Sequence, residues 1–185
     1  MKTYQIKISL NGSRPIIWRR LLIPSDLLLP DFHAIIQISM GWENDHLYQF
    51  AKGRTFYSPE DYISDEANNV EYEEIKISDL LKKEKDKILY EYDFGDSWRH
   101  DIILEKILPP DDKLNNPICI DGKMACPPED CGGIWGYANL LKIIKQPGHE
   151  EYEDYISWVG TDFDPSHFDK ESVNKVLKRF KFNKT

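Results

Sequence analysis

The N-terminal part of the chain has the alternation of apolar and polar side chains that is typical of half-buried strands. Apolar side chains occupy every second position over residues 4–10, with polar ones between them. Asn11 and Gly12 follow, and because both residues tolerate a positive φ they predict a hairpin turn. The returning segment, residues 16–23, is apolar on both faces, so we expect a strand inside the sheet.

A helix is predicted directly after this hairpin. Pro30 suits the first turn of a helix, and the carboxylate of Asp31 complements the positive end of the helix dipole. Gly41 fits the left-handed position that commonly ends a helix. The apolar stripe between these two ends consists of Phe32, Ile35, Ile36 and Met40.

Two more strands are predicted after the helix, which is the element order of a β-grasp half-domain. Alternation puts His46, Tyr48 and Phe50 on one face of the first strand, where we expect them to pack on the sheet rather than bind a ligand. Segment 58–74 is polar and weakly patterned, which predicts a long surface loop. Strands over residues 88–93 and 98–107 then flank a second hairpin turn at Gly95-Asp96.

The C-terminal part has helical periodicity instead. Helices are predicted over residues 134–144 and 152–159, and Asp169 can cap a third. The fold class is therefore α+β, with a mixed or antiparallel sheet, a β-grasp-like N-terminal half and C-terminal helices packed on the sheet. We expect residues 1–185 to form one domain, in which residues 1–108 are mainly sheet with one helix and residues 118–185 hold a loop and the helices.

The composition narrows the class of protein. A hydrophobic content of 41% and a charged content of 30% are those of a soluble globular protein, and no apolar run approaches the ~18 residues that span a bilayer. The N-terminus enters the strand pattern without the apolar core of a signal peptide. Three cysteines, an odd number, suit free thiols in a reducing compartment. We therefore expect a cytoplasmic protein.

Charge and aromatic content add two expectations. The net charge of −8 argues against a large nucleic-acid interface, which needs clustered Lys and Arg. Arg14, Arg19 and Arg20 cluster around the first turn, where we expect solvated charges. Four of the tryptophans are expected to anchor the core; they are Trp18, Trp42, Trp135 and Trp158.

Two segments concentrate the polar and reactive side chains of the chain. We call residues 90–100 (YEYDFGDSWRH) the hairpin segment and residues 125–136 (ACPPEDCGGIWG) the cysteine loop. Together they hold two of the five tryptophans and two of the three cysteines. A site formed by this chain is therefore expected where the two segments meet.

With these segments the chain resembles the Ri-plasmid ORF-three-like family, members of which are also labelled TnpR-like transposon-passenger proteins. The resemblance runs from Tyr4 to about Leu177. The family is of unknown biochemical activity, so the resemblance implies no catalytic residue. Besides the hairpin segment and residues 125–133 of the cysteine loop, it rests on residues 15–20 (PIIWRR), 40–42 (MGW) and 46–48 (HLY).

The hairpin segment allows a hydrolase hypothesis. A carboxylate of Asp93 or Asp96 near His100 would fix the tautomer of the imidazole and raise its pKa, which is the arrangement of a general base. The backbone amides of Gly132 and Gly133 would then bind an oxyanion. In the structural alternative, Asp96 accepts hydrogen bonds from turn amides and His100 is a partly buried residue without a chemical role.

The cysteine loop allows three functional hypotheses. Cys131 precedes a helix, whose dipole would lower the pKa of the thiol and favour a nucleophile. Gly132 and Gly133 would expose free amides that suit an anion. A zinc site is the third hypothesis, with Cys119, Cys126, Cys131 and one of His100, His149 or His167 as ligands. The structural alternative is a rigid Pro-Pro turn whose glycines let the helices dock on the sheet.

The preferred hypothesis is a non-enzymatic ligand-binding or protein-interaction module with a groove between the two segments. We expect a small ligand or a protein as its partner, no cofactor, no membrane and no nucleic acid. The alternatives are the hydrolase and a DNA-associated accessory protein of a mobile element. The residues expected to line the groove are Asp93, Asp96, Trp98, Arg99, His100, Glu129, Asp130, Cys131, Gly132 and Gly133.

Overall fold

A computed structural model describes residues 2–59, 68–110 and 116–181, which form an eight-stranded sheet and five helices. The strands are β1 (Thr3–Leu10), β2 (Trp18–Pro24), β3 (Tyr48–Lys52), β4 (Thr55–Ser58), β5 (Asn69–Glu71), β6 (Lys87–Tyr92), β7 (Trp98–Leu108) and β8 (Ile118–Lys123). The helices are α1 (Leu29–Met40), α2 (Ile77–Leu80), α3 (Gly133–Ile143), α4 (Tyr152–Val159) and α5 (Lys170–Leu177). The predicted α+β class is confirmed.

The sheet has the strand order β5-β4-β3-β6-β7-β1-β2-β8. Every neighbouring pair is antiparallel except β4 and β5, which run parallel. The β-grasp detail is not confirmed, because β6 and β7 lie between β1 and β3. Within segment 58–74, predicted to be a loop, residues 69–71 form a short edge strand; residues 60–67 lie outside the described residues.

The core lies between one face of the sheet and α1. Strand alternation brings Ile8 of β1 opposite Ile102 of β7, and Ile102 opposite Ile88 of β6, so one face presents a continuous apolar layer. Phe32, Ile35 and Ile36 of α1 are fully buried. Complete burial of side chains of this size contributes at most about 1.5–3 kcal/mol each, so this layer dominates the stability of the fold.

The predicted helix ends are found where the sequence indicates them. Pro30 lies in the first turn of α1, and Gly41 ends the helix with a φ of 91°. Its amide donates to the carbonyl of Gln37. At α5 the carboxylate of Asp169 accepts a hydrogen bond of 2.9 Å from the amide of Ser172, which is the predicted cap.

Arg19 is buried, so the expectation that it is a solvated charge is wrong. Its Nε donates to the carbonyl of Ser39, and one terminal nitrogen donates to the carbonyls of Trp18 and Lys123. The guanidinium carbon lies 3.8 Å from the centre of the Phe168 ring. Arg19 therefore ties β2, the end of α1, β8 and the segment before α5 together.

Two of the four tryptophans predicted to anchor the core are exposed instead. Trp135 leaves 87% of its surface accessible and Trp158 about half, although Trp42 is buried as expected.

Along the described parts of the chain no helix combines the length and the apolar character required to cross a membrane.

Candidate functional site

The turn between β6 and β7 is built around Asp93. This residue has a φ of 56°, and its Oδ1 accepts hydrogen bonds from the amides of Gly95 (2.9 Å) and Asp96 (3.3 Å). The amide of Ser97 donates to the carbonyl of Asp93. An aspartate suits this position because its short carboxylate bonds the amides that follow it. Asp93, rather than Asp96 as expected, thus satisfies the turn amides, and its Oδ2 remains for other contacts.

The cysteine loop docks directly on this turn. The amide of Gly132 donates to Oδ2 of Asp96 over 3.1 Å. Gly133, with a φ of 66°, lies so close to the turn that a Cβ atom there would come within 2.5 Å of the carbonyl oxygen of Asp96. Gly133 is therefore required for the close approach of the two segments. The predicted anion cradle is occupied by the protein's own carboxylate, since Asp96 takes the amide of Gly132.

A third segment, residues 41–47 between α1 and β3, joins the other two. The indole nitrogen of Trp42 donates to the carbonyl of Pro127 (3.0 Å), and the amide of Glu43 donates to Oε2 of Glu129 (3.2 Å). The carbonyl of Leu47 accepts a hydrogen bond from the amide of Asp93. This α1–β3 loop therefore contacts both the cysteine loop and the β6–β7 turn.

Tyr92 of β6 forms hydrogen bonds with the other two segments of this junction. Its hydroxyl donates to Oε1 of Glu129 and accepts a hydrogen bond from the amide of Asp45 over 3.1 Å. Burial and the neighbouring Glu129 raise the pKa of Tyr92, so the hydroxyl keeps its proton and acts as a donor. One phenol thus links the three segments.

At the junction the three segments bring together what we call the His46 cluster: His46, Asp93 and Asp130. Nε2 of His46 lies 3.3 Å from Oδ1 of Asp130, and Nδ1 lies 3.9 Å from Oδ2 of Asp93. One nitrogen or oxygen from each residue can be chosen so that all three atoms lie within 4.8 Å of one another. Asp93 is almost buried, His46 is half-buried and the Asp130 side chain is 75% exposed, so the cluster is open to solvent on one side.

His100 lies elsewhere, in the core. Its side chain is completely buried beside the rings of Trp42 and Tyr90, and Nδ1 bonds the carbonyl of Trp98 over 3.0 Å. Burial lowers the pKa of His100 to about 3. Among the described residues no carboxylate hydrogen-bonds or forms an ion pair with it. The structure therefore does not support the hydrolase hypothesis, which required a reachable His100 paired with Asp93 or Asp96.

Its strand neighbours are also outside the cluster. Trp98 is fully buried on the same face of β7 as His100. Arg99 projects from the opposite face, where its Nε donates to Oε1 of Glu91 over 2.9 Å. Of the ten residues predicted to line a groove, Trp98 and His100 are thus buried beneath the junction, where both rings contact Trp42, and Arg99 lies on the opposite face of the sheet. The acidic residues and the glycines lie at the junction itself.

The pKa of the Cys131 thiol is shifted in the opposite direction from that predicted. All three are free thiols. Burial raises the pKa of both Cys126 and Cys131 to about 12, and for Cys131 the carboxylate of Asp96 adds to the effect. The expected thiolate at Cys131 is therefore not favoured. In the described part of the chain no group of three candidate metal ligands includes a cysteine, which leaves the Cys119–Cys126–Cys131 zinc set without support.

His46 is a residue of the cluster that was predicted, incorrectly, to lie on a strand. Alternation grouped it with Tyr48 and Phe50 on a strand, but β3 begins only at Tyr48 and His46 belongs to the α1–β3 loop. Its ring meets the ring of Tyr92 edge-on, with centres 5.7 Å apart. The signal that could have identified it is its place in the HLY motif at residues 46–48, one of the motifs on which the resemblance rests.

Comparison with known proteins places the chain in a family. The family model described as plasmid pRiA4b ORF-3-like protein matches residues 2–172. The chain belongs to this family. That match includes the α1–β3 loop, the hairpin segment and the cysteine loop, so all three segments of the junction lie within the family's common region.

Two relatives match this chain over nearly its full length. The uncharacterized protein y4hQ of Sinorhizobium fredii (strain NBRC 101917 / NGR234) is 30% identical over 176 residues, which cover 94% of this chain and 89% of that protein. The crystal structure of a protein of unknown function, MM3350 from Methanosarcina mazei Go1, has a TM-score of 0.84 and 40% sequence identity. That match covers 92% of this chain and 96% of that one. The pRiA4b ORF-3-like fold is thus shared over nearly the whole chain.

Proposed function

We propose that this pRiA4b ORF-3-like protein is a non-enzymatic binding module, and that its binding site is the His46 cluster. The observation that carries the proposal is the convergence of three segments distant in sequence on one solvent-accessible imidazole and two carboxylates. Two carboxylates face one imidazole here, so the cluster has an excess of acidic groups. The ligand is accordingly expected to carry positive charge.

The surroundings of the cluster support a binding role. Glu129 and Asp96 add two carboxylates at the same junction, and both are held by hydrogen bonds from neighbouring segments. Three apolar residues near the junction in sequence are exposed: Leu47, Phe94 and Trp135. They come directly or almost directly after His46, Asp93 and Gly133 in the chain. Exposed apolar side chains beside fixed polar groups are typical of binding surfaces.

The groups on which the catalytic hypotheses depended are not activated. His100 is buried with a lowered pKa, and the pKa of Cys126 and of Cys131 is raised, so none of them supplies the base or the nucleophile that those hypotheses require. A DNA-associated role is equally without a favouring observation, since the junction is acidic and the chain carries a net charge of −8. The binding module is therefore the function that the site supports best.

Thermal unfolding in the presence of a panel of cations tests this proposal. The panel comprises Zn²⁺, Mg²⁺, spermidine, lysine amide and arginine amide, each added to the full chain. We expect at least one cation to raise the melting temperature, because a ligand that binds only the folded state stabilises it by about 2.7 kcal/mol at a hundred times its Kd. For a chain of this size that corresponds to about 5–10 °C.

Two variants make the test specific to the cluster. Asp130→Asn removes a largely exposed carboxylate of the cluster and should reduce the shift. Asp162→Asn removes the same charge from an exposed residue that is not part of the cluster and should leave the shift unchanged. If no cation raises the melting temperature, or if the shift is equal in both variants, the proposed binding site is wrong.

A further inference from the structure

We infer that the cation bound by the His46 cluster is a divalent first-row transition ion such as Zn²⁺, with His46, Asp93 and Asp130 as its protein ligands. This inference rests on the proposed function and specifies the ligand of the same site.

The donor set favours a transition ion. An imidazole nitrogen is a good ligand for Zn²⁺ and related ions, whereas Mg²⁺ and Ca²⁺ prefer sites made of oxygen atoms alone. An organic ammonium group needs several hydrogen-bond acceptors, and a neutral imidazole offers one acceptor nitrogen beside one N–H donor. One nitrogen and two carboxylates also leave room for water, as in zinc sites with three protein ligands and an open position.

The spacing of the donors is close to what an ion requires. Zn–N and Zn–O bonds of about 2.1 Å place neighbouring tetrahedral ligand atoms roughly 3.4 Å apart. The separation of His46 Nε2 and Asp130 Oδ1 is 3.3 Å, and one donor atom from each of the three residues falls within 4.8 Å of the others. Asp130 faces Nε2 and Asp93 faces Nδ1, so an ion held by one ring nitrogen requires the carboxylate that faces the other nitrogen to move toward it. The largely exposed Asp130 side chain has the freedom to do so.

Two of the donors are oriented by surrounding groups. Oδ1 of Asp93 is occupied by the amides of Gly95 and Asp96, so Oδ2 is turned toward His46. The His46 ring rests edge-on against Tyr92, whose hydroxyl is fixed by Glu129 and Asp45. Outer contacts of this kind orient ligands in metal sites and raise their affinity. A bound ion would clip the α1–β3 loop, the β6–β7 turn and the cysteine loop together.

Titration of the metal-free, reduced full chain with Co²⁺ tests this inference, because bound cobalt has visible absorption bands that report its ligands. We expect about one equivalent to bind, with bands that indicate nitrogen and oxygen ligands. His46→Ala and Asp130→Asn should each weaken cobalt binding at least tenfold. His149→Ala is the matched control, since His149 lies 4.0 Å from Glu151 but has no third ligand in the described chain, and it should bind cobalt as the wild type does.

Each other outcome overturns the inference. A thiolate-to-cobalt charge-transfer band would assign the metal to the cysteines, and equal affinity in all variants would assign it to scattered surface groups. Because Asp130 is largely exposed, Asp130→Asn is expected to fold even if His46→Ala does not. If an organic cation, but neither Zn²⁺ nor Co²⁺, stabilises the protein in a manner that depends on Asp130, the binding module stands and the metal assignment fails. If no cation binds, both fail.

Discussion

Replacement of Gly133 by alanine is expected to lower the free energy of unfolding by about 2–4 kcal/mol, a fall in melting temperature of about 5–15 °C. Two costs add together at this position. A Cβ atom would come within 2.5 Å of the carbonyl oxygen of Asp96, a backbone atom that cannot swing aside. Alanine would also have to adopt a φ of 66°, which L-residues other than glycine disfavour. Chemical denaturation of the purified variant measures the change.

Two other glycines separate these costs. Gly53→Ala has a similar φ of 63° but open space around the added Cβ, so it should cost only about 1 kcal/mol. Gly148→Ala has neither a positive φ nor a neighbour within 4 Å and should be nearly neutral or slightly stabilising. A Gly133→Ala variant no less stable than Gly53→Ala would show that the cysteine loop does not dock on the turn as described.

The second large effect is expected at Arg19, where substitution by lysine should destabilise the protein by about 3 kcal/mol. The planar guanidinium donates to three carbonyl groups, and it stacks on Phe168. Lysine has a single ammonium nitrogen in place of the planar guanidinium. It cannot donate to all three carbonyl groups in the same geometry, so some of them lose their hydrogen bond. Urea denaturation with a constant m value would report the loss as a change in stability alone.

The next residue in the chain provides the matched control. Arg20 faces solvent on the other side of β2 and pairs with Glu105 at 2.6 Å and with Asp121 at 3.3 Å. Because partly exposed ion pairs contribute little, Arg20→Lys should change the stability by about 1 kcal/mol or less. Equal effects at Arg19 and Arg20 would contradict the buried network.

Local patterns predicted the fold where neighbouring residues determine it. Pro30 and Gly41 indicated the ends of α1, and Asn11-Gly12 and Gly95-Asp96 indicated two hairpins, because turn and cap conformations depend on a few adjacent residues. The order of strands in the sheet depends on contacts between distant segments. The insertion of β6 and β7 between β1 and β3 was therefore not visible in any local pattern.

The site was predictable only in part for the same reason. The motifs identified Asp93, Asp130 and the two segments that carry them. Alternation, however, extended the predicted strand two residues beyond the start of β3, so His46 was assigned to the sheet rather than to the site. Alternation did place His100 on the apolar face of its strand; its complete burial there depends on Trp42 and Tyr90 from other elements. Arg19 was misassigned because charge alone does not reveal that three carbonyl groups and a phenyl ring surround it.

We propose one binding site around His46, formed by the α1–β3 loop, the hairpin segment and the cysteine loop. Nuclear magnetic resonance of the imidazole groups, in protein with isotope-labelled histidine, tests this most directly, because the chain has only five histidines. On addition of one equivalent of Zn²⁺ we predict that the ring nitrogens of His46 shift while those of His149 and His167 do not. A shift at His149 or His167 with no change at His46 would contradict the account.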